Sequence, residues 1–161
     1  MSEETLGLDS MTPDQAARRR WMGVLAKARP DELEAAWAKL DVKPDYTWLR
    51  RPEVGLVMVR GRAGGTGMRF NLGEMTVTRC TLRVEGGPVG FGYVQGRDRF
   101  HAELAAVFDA LMQVPERQNE IEREVISPIE ALLAERRQKR SRKANATKVE
   151  FFTMVRGEDV R

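Results

Sequence analysis

The sequence has one cysteine, Cys80, and one histidine, His101. A lone cysteine excludes an internal disulfide framework. With only one soft ligand of each kind, no zinc-type or iron–sulfur cluster can be assembled within the chain. No apolar run approaches the roughly 20 residues that cross a bilayer. The opening "MSEETLGLDSMTPD" is acidic and has no apolar h-region, so it does not read as a secretory signal. These absences together point to a cytoplasmic protein. Internal repeats are lacking as well, and the one low-complexity tract is a short basic run.

What is present describes a soluble globular chain. Its 161 residues are 42% hydrophobic and 32% charged, enough for a buried core. Residues 1–11 read as a flexible lead-in and 12–161 as a single domain. The net charge of +3 is unevenly placed, because "RRQKRSRK" (136–143) holds six cations. Without that run the remainder has 21 basic against 24 acidic side chains. Such a run suits the solvated end of a helix, and it can also bind nucleic acid or a membrane. The first reading is preferred.

Periodicity divides the chain. Thr12, Pro13 and Gln15 form a capping pattern for a helix whose stripe is Ala17, Trp21, Val24, Leu25 and Ala28. After Pro30 a second helix is expected, with Asp31 as cap, Glu34 three residues on, and Leu33, Ala36, Trp37 and Leu40 inward. "DVKPDYTWLRRPEV" reads as a turn-rich connection whose Tyr46 and Trp48 cover a core edge. Strands follow in "GLVMVRG", "FNLGEMTVTRCTLRV" and "VGFGYVQG", with "RAGGTG" and "EGGP" as turns. In the middle strand Thr76, Thr78, Cys80, Leu82 and Val84 share one face, and Val77, Arg79, Thr81 and Arg83 the other. A third helix is capped by Asp98 and turns Phe100, Leu104, Val107, Phe108 and Leu111 inward. A further helical segment is expected from Glu120, with a kink or break at Ser127-Pro128. The alternating "VEFFTMV" near the end reads as a strand that joins the sheet or docks on another chain. The expected fold class is α+β: an N-terminal helical hairpin, an antiparallel sheet of about four strands including the C-terminal one, and two further helices.

The glycine-rich "RGRAGGTGMRFNLGE" (60–74) fails the nucleotide-loop templates. A P-loop needs Lys and Ser or Thr after its last glycine, where Met68 and Arg69 stand. The dinucleotide fingerprint needs a small residue where Phe70 sits, and a strand rather than a helix follows. What remains is a hairpin turn flanked by Arg60, Arg62 and Arg69, which could hold a phosphonate or triphosphate oxygen or pair with a neighbour's acids. Cys80 reads as a small buried hydrophobe. His101 lies in the first turn of the third helix near Arg97. That arrangement can bind an anion, or the histidine can make a capping contact or lie partly exposed. Glu74 and Glu103 belong to different elements, and their spacing defines no acid–base pair.

The strings "RRRWMGVLAKA", "LRRPEVGLVMVRGRAGGTGMRFNLGEMTVTRC", "GYVQGRDRFHAELAAVFDAL" and "ATKVEFFTMVRGED" resemble the PhnG family, a subunit of the bacterial carbon–phosphorus lyase system. The resemblance runs from about residue 18 to the C-terminus. It implies assembly with PhnI-like, PhnH-like and PhnJ-like partners into a symmetric hetero-oligomer that degrades alkylphosphonates. ATP and alkylphosphonate would be substrates of the complex: the phosphonate displaces adenine at the ribose anomeric carbon. The resemblance attributes the nucleosidase-type site to the PhnI-like subunit and radical cleavage to the PhnJ-like one. This chain is then expected to be an accessory subunit with no cofactor, metal or catalytic residue of its own. Candidate substrate- or partner-binding residues are Arg60, Arg62, Arg69, Asn71, Glu74, Arg79, Arg97 and His101. A stand-alone anion-binding module is the alternative, and nucleic-acid binding through "RRQKRSRK" is the weakest reading.

Overall fold

The computed structural model describes residues 11–146. The first helix, α1 (Pro13–Lys27), starts as its sequence dictates. The Thr12 hydroxyl accepts the Gln15 N–H at 3.3 Å, and the Gln15 side chain accepts the Thr12 N–H at 3.0 Å. Trp21, Val24, Leu25 and Ala28 are buried, whereas Ala17 is exposed and Arg18 takes the inward position one residue on. The second helix, α2 (Pro30–Lys39), is capped two residues earlier than expected: Glu32, not Glu34, reaches back to accept the N–H of Arg29, not of Asp31. Proline is suited to the first helical position, and this moves the cap to the residue before it.

The stretch expected as a loop before Gly55 is already strand. The first strand, β1 (Tyr46–Arg62), pairs antiparallel with β2 (Arg69–Val84), with register shifts at Trp48/Arg50, Arg50/Glu53 and Val59/Arg60. β1 lies at the edge of the sheet order β1-β2-β3, where Pro52 removes no ladder bond from a central position and bulges absorb the irregularity. The third strand, β3 (Val89–Gln95), pairs with β2 only over Val77–Arg83. Among the described residues the sheet has three strands, and the expected fourth in "VEFFTMV" lies outside them.

One sheet face packs on α3 (Arg99–Met112), with Thr78, Cys80, Leu82 and Val94 buried there. Asp98 caps this helix through the His101 N–H at 2.9 Å, as expected. Leu104, Val107, Phe108 and Leu111 are inward, but Phe100 is 44% exposed because the helix is buried on its other sides and leaves that position at the rim. The helix approaches β3 backbone to backbone. A Cβ built at Gly90 would meet the Ala106 carbonyl at 1.9 Å, and one at Gly92 the Ala102 carbonyl at 1.9 Å. Only glycine permits that contact.

Asp109 fastens these layers together from within the core. Its carboxylate is fully buried and accepts from Arg18 (2.7 and 3.2 Å), the Trp21 indole N–H (2.8 Å) and the Phe91 backbone N–H (2.9 Å). One side chain therefore joins α1, β3 and α3.

The last helical region starts at Pro115, not Glu120, since this proline too takes a first helical position. It runs as α4 (Pro115–Ile121), a π-turn (Glu122–Ile126) and α5 (Ser127–Ala146). The Ser127 N–H bonds the Glu122 carbonyl, five residues back, so the expected disturbance at Ser127-Pro128 is a widened turn placed just ahead of the proline. Arg20 ties α1 to this region through Glu122 and Glu130, both at 2.6 Å, and Arg136 pairs with Glu32 of α2. Residues 137–143 of the basic run lie on exposed turns of α5.

Candidate functional site

β1 and β2 outrun the rest of the sheet. Past Thr76, the residues of β2 from Met75 back to Arg69 pair only with β1 among the described residues, so a two-stranded arm projects from the body. At about 3.3 Å per residue, the part from Thr76 to Arg69 is about 23 Å long. Its apolar side chains stand in solvent: Leu56 is 61% exposed, Met58 52%, Leu72 65% and Met68 90%. They occupy both faces. Val54, Leu56 and Met58 continue the face that carries Thr78 and Thr76, while Val57 and Met75 oppose each other on the other. A soluble body does not need such a patch, and patches of this kind mark contact surfaces.

The glycine-rich stretch is the tip of this arm. A short 3-10 turn, Ala63–Gly65, joins the strands, with Gly64 in the left-handed region at φ 59°. The cross-strand pairs Arg60–Asn71 and Arg62–Arg69 place all four side chains on one face. Like charges directly opposite are unfavourable, and among the described residues no carboxylate pairs with these three arginines. Glu74 stands opposite Met58, further down the arm.

The remaining candidates lie elsewhere. Arg79 is on the outer face of the sheet, held by Glu53 at 2.7 Å. Arg97 and His101 line a cavity of about 1480 Å³ between α1, α5 and the loop joining β3 to α3. His101 is buried rather than at the surface. Its Nε2 lies 3.0 Å from the Leu25 carbonyl, which can only accept, so that nitrogen carries a proton and the ring links α3 to α1. Arg97 is therefore the exposed member of the two.

Two groups beneath the sheet are shifted in the same direction. Burial, reinforced by the hydrogen bond to Glu103 at 2.5 Å, raises the Tyr46 phenol. Burial pushes the Cys80 thiol up to about 11, with nearby Glu103 adding to the effect. The thiol is 1% exposed and neutral at ordinary pH, which suits packing and not nucleophilic chemistry.

The family model described as "Phosphonate metabolism protein PhnG" matches residues 16–157. The chain belongs to the PhnG family. A curated relative from Rhizobium meliloti (strain 1021), the alpha-D-ribose 1-methylphosphonate 5-triphosphate synthase subunit PhnG, is 49% identical over 144 residues, covering 89% of this chain and 92% of the relative. The family match spans the arm and the cavity-lining residues from Ala16 onward. Among the described residues no helix is long and apolar enough to cross a membrane.

Sequence reasoning missed two features. Asp109 sits inside the apolar run "LAAVFDALM", and a lone acid there was the available signal. The cavity draws its walls from α1 and α5, whose contact Arg20–Glu130 joins residues 110 apart, and no local pattern announces it.

Proposed function

We propose that this chain is a non-catalytic subunit of an alpha-D-ribose 1-methylphosphonate 5-triphosphate synthase, and that it joins its complex through the β1–β2 arm. ATP and an alkylphosphonate are the substrates of that complex, with PhnI-like, PhnH-like and PhnJ-like chains as its other members. The observation that carries the reading is the arm: apolar on both faces, tipped by Arg60, Arg62 and Arg69, and unsupported by the body. A partner that offers an apolar cleft with carboxylates at its end would bury Leu56, Met58, Phe70 and Leu72, each contributing up to about 2 kcal/mol before the costs of association. It would also relieve the Arg62–Arg69 opposition.

The polar groups within the body support the same division of labour. Asp109, His101 and the Tyr46–Glu103 pair are each engaged in holding elements together.

The test is co-expression with the partner chains. Wild type co-purifies and the complex releases adenine from ATP plus methylphosphonate, while the isolated chain does not. Leu56→Asp with Leu72→Asp, or Arg62→Glu with Arg69→Glu, abolishes co-purification and leaves the melting temperature of the isolated chain unchanged, since these side chains pack on nothing in the body. Turnover by the isolated chain refutes the non-catalytic assignment. Undiminished co-purification of both double variants refutes the role of the arm.

A further inference from the structure

The cavity between α1, α5 and the β3–α3 loop carries an excess of positive charge among the described residues. α1 supplies Arg19, Arg20 and Lys27, the cap of α2 supplies Arg29, which pairs with Asp31, the loop supplies Arg97, and α5 supplies Arg136, Arg137 and Arg140. Arg20 and Arg136 are neutralised by Glu122, Glu130 and Glu32. Lys27, Arg97, Arg137 and Arg140 have no ion pair among the described residues, and Arg19 contacts only the Met11 sulfur at 3.8 Å. The carboxylates on the wall are Glu130, already engaged with Arg20, and Asp98, which caps α3. Five cations thus converge on one concavity, where their mutual repulsion favours an anionic occupant.

The wall has a second unusual feature. Gly23 stands in the middle of α1, where glycine costs about 1 kcal/mol relative to alanine. A Cβ there would meet nothing within 4 Å, so packing does not require glycine. Glycine at such a place lets a ligand approach the helix backbone closely. Val24 and Leu133 add an apolar stretch to the same wall.

We propose that this cavity binds a polyphosphate chain of the kind a nucleoside or sugar triphosphate carries. The five cations without an ion pair among the described residues match the roughly four negative charges of such a group, arginine forks hold phosphate oxygens bidentately, and a space of about 1480 Å³ exceeds what a single phosphate fills. The site goes beyond the subunit reading and does not involve the arm.

Calorimetry on the full chain, with tripolyphosphate, ATP and inorganic phosphate as probes, tests it. Tripolyphosphate and ATP bind one per chain, more tightly than phosphate, and weaken at high salt. Arg137→Ala with Arg140→Ala, both exposed, lowers their affinity at least tenfold, as does Gly23→Glu, which projects a carboxylate into open space. Arg83→Ala, on the outer sheet face, changes nothing, and the arm double variants still bind. Melting temperatures of the cavity variants near wild type show that the fold is retained. Absence of binding, binding equal in wild type and both cavity variants, or binding confined to an acidic peptide or an oligonucleotide overturns the proposal.

Discussion

Replacing Asp109 by asparagine preserves its volume and removes what it does. Every group that faces the carboxylate is a donor. Oδ1 receives Arg18 Nε–H and the Trp21 indole N–H, and Oδ2 receives Arg18 Nη2–H, the Phe91 N–H and, at 3.5 Å, the Gln113 amide. Asparagine offers one oxygen and one NH₂. Whichever way the amide is turned, at least two N–H groups confront its NH₂, and the Arg18 guanidinium loses its counter-charge. Breaking a buried pair by removing one partner costs about 3–5 kcal/mol. Arg18 is 32% exposed and recovers some hydration, which places the expected loss near the lower end, about 3 kcal/mol. At about 2–4 °C per kcal/mol for a chain of this size, the melting temperature falls by about 6–12 °C.

Urea unfolding followed by far-ultraviolet circular dichroism measures this directly. Asp109→Leu combined with Arg18→Met supplies the control. It removes both charges together with the two Arg18 donors, so it should lose less than the sum of the two single variants. Asp109→Asn within about 0.5 kcal/mol of wild type would show that the carboxylate is dispensable and that the reasoning about its donors is wrong.

Four other outcomes follow from the packing and the titrating groups. Gly92→Ala drives a methyl into the Ala102 carbonyl at 1.9 Å, so α3 must move off the sheet; a loss of about 3 kcal/mol or more is expected in the same unfolding assay, and a soluble variant of wild-type stability would contradict the backbone contact. Cys80, with a thiol at about 11, has about 0.1% thiolate at pH 8, so a disulfide reagent should label it only after denaturant is added. Its raised value also makes stability fully present below the unfolded value of 9.0 and progressively lost as pH rises toward 11, a loss that Cys80→Ala abolishes. Burial works to raise the Glu32 carboxyl, but hydrogen bonds from Arg136 and the Arg29 N–H outweigh it and the net shift is downward. Its stabilisation is therefore present above about 4.5 and lost as pH falls through the lower folded value, so the urea midpoints of wild type and Glu32→Gln should converge in acid.

Local chemistry was legible where the partners are near in sequence. The Thr12–Gln15 cap, the Asp98 cap and the two faces of β2 all follow from residues within a turn or a strand of one another. Prolines misled in a consistent way. Pro30 and Pro115 each open a helix that was expected to start after them, and Pro52 sits in an edge strand where a loop was expected. In each case the missing N–H falls where no ladder or helix bond is needed. The assembly of α1 with α5 and of Asp109 with Arg18 rests on contacts across 91 or more residues, and no periodicity encodes a partner at that distance. The arm shows the same limit from the other side. Its strands and turn were readable, but its projection depends on where β3 stops, which is a property of the pairing and not of either strand.

The location of the exposed apolar residues bears on how the arm evolved its length. In the body, large apolar groups such as Phe108, Leu104 and Met112 are fully enclosed, and no buried side-chain polar atom lacks a partner among the described residues. The body is thus complete without the arm, whose large apolar side chains stand outside the core. An exposed ribbon with a free β2 edge invites unwanted strand pairing. Its arginine-bearing tip and its bulge at Val59/Arg60 oppose that, the first by charge repulsion between copies and the second by twisting the edge away from a flat template. Both devices discourage self-association while leaving the apolar faces open to a partner of opposite charge. An arm kept exposed, discouraged from pairing with itself and not needed for stability supports the proposal that it binds another chain.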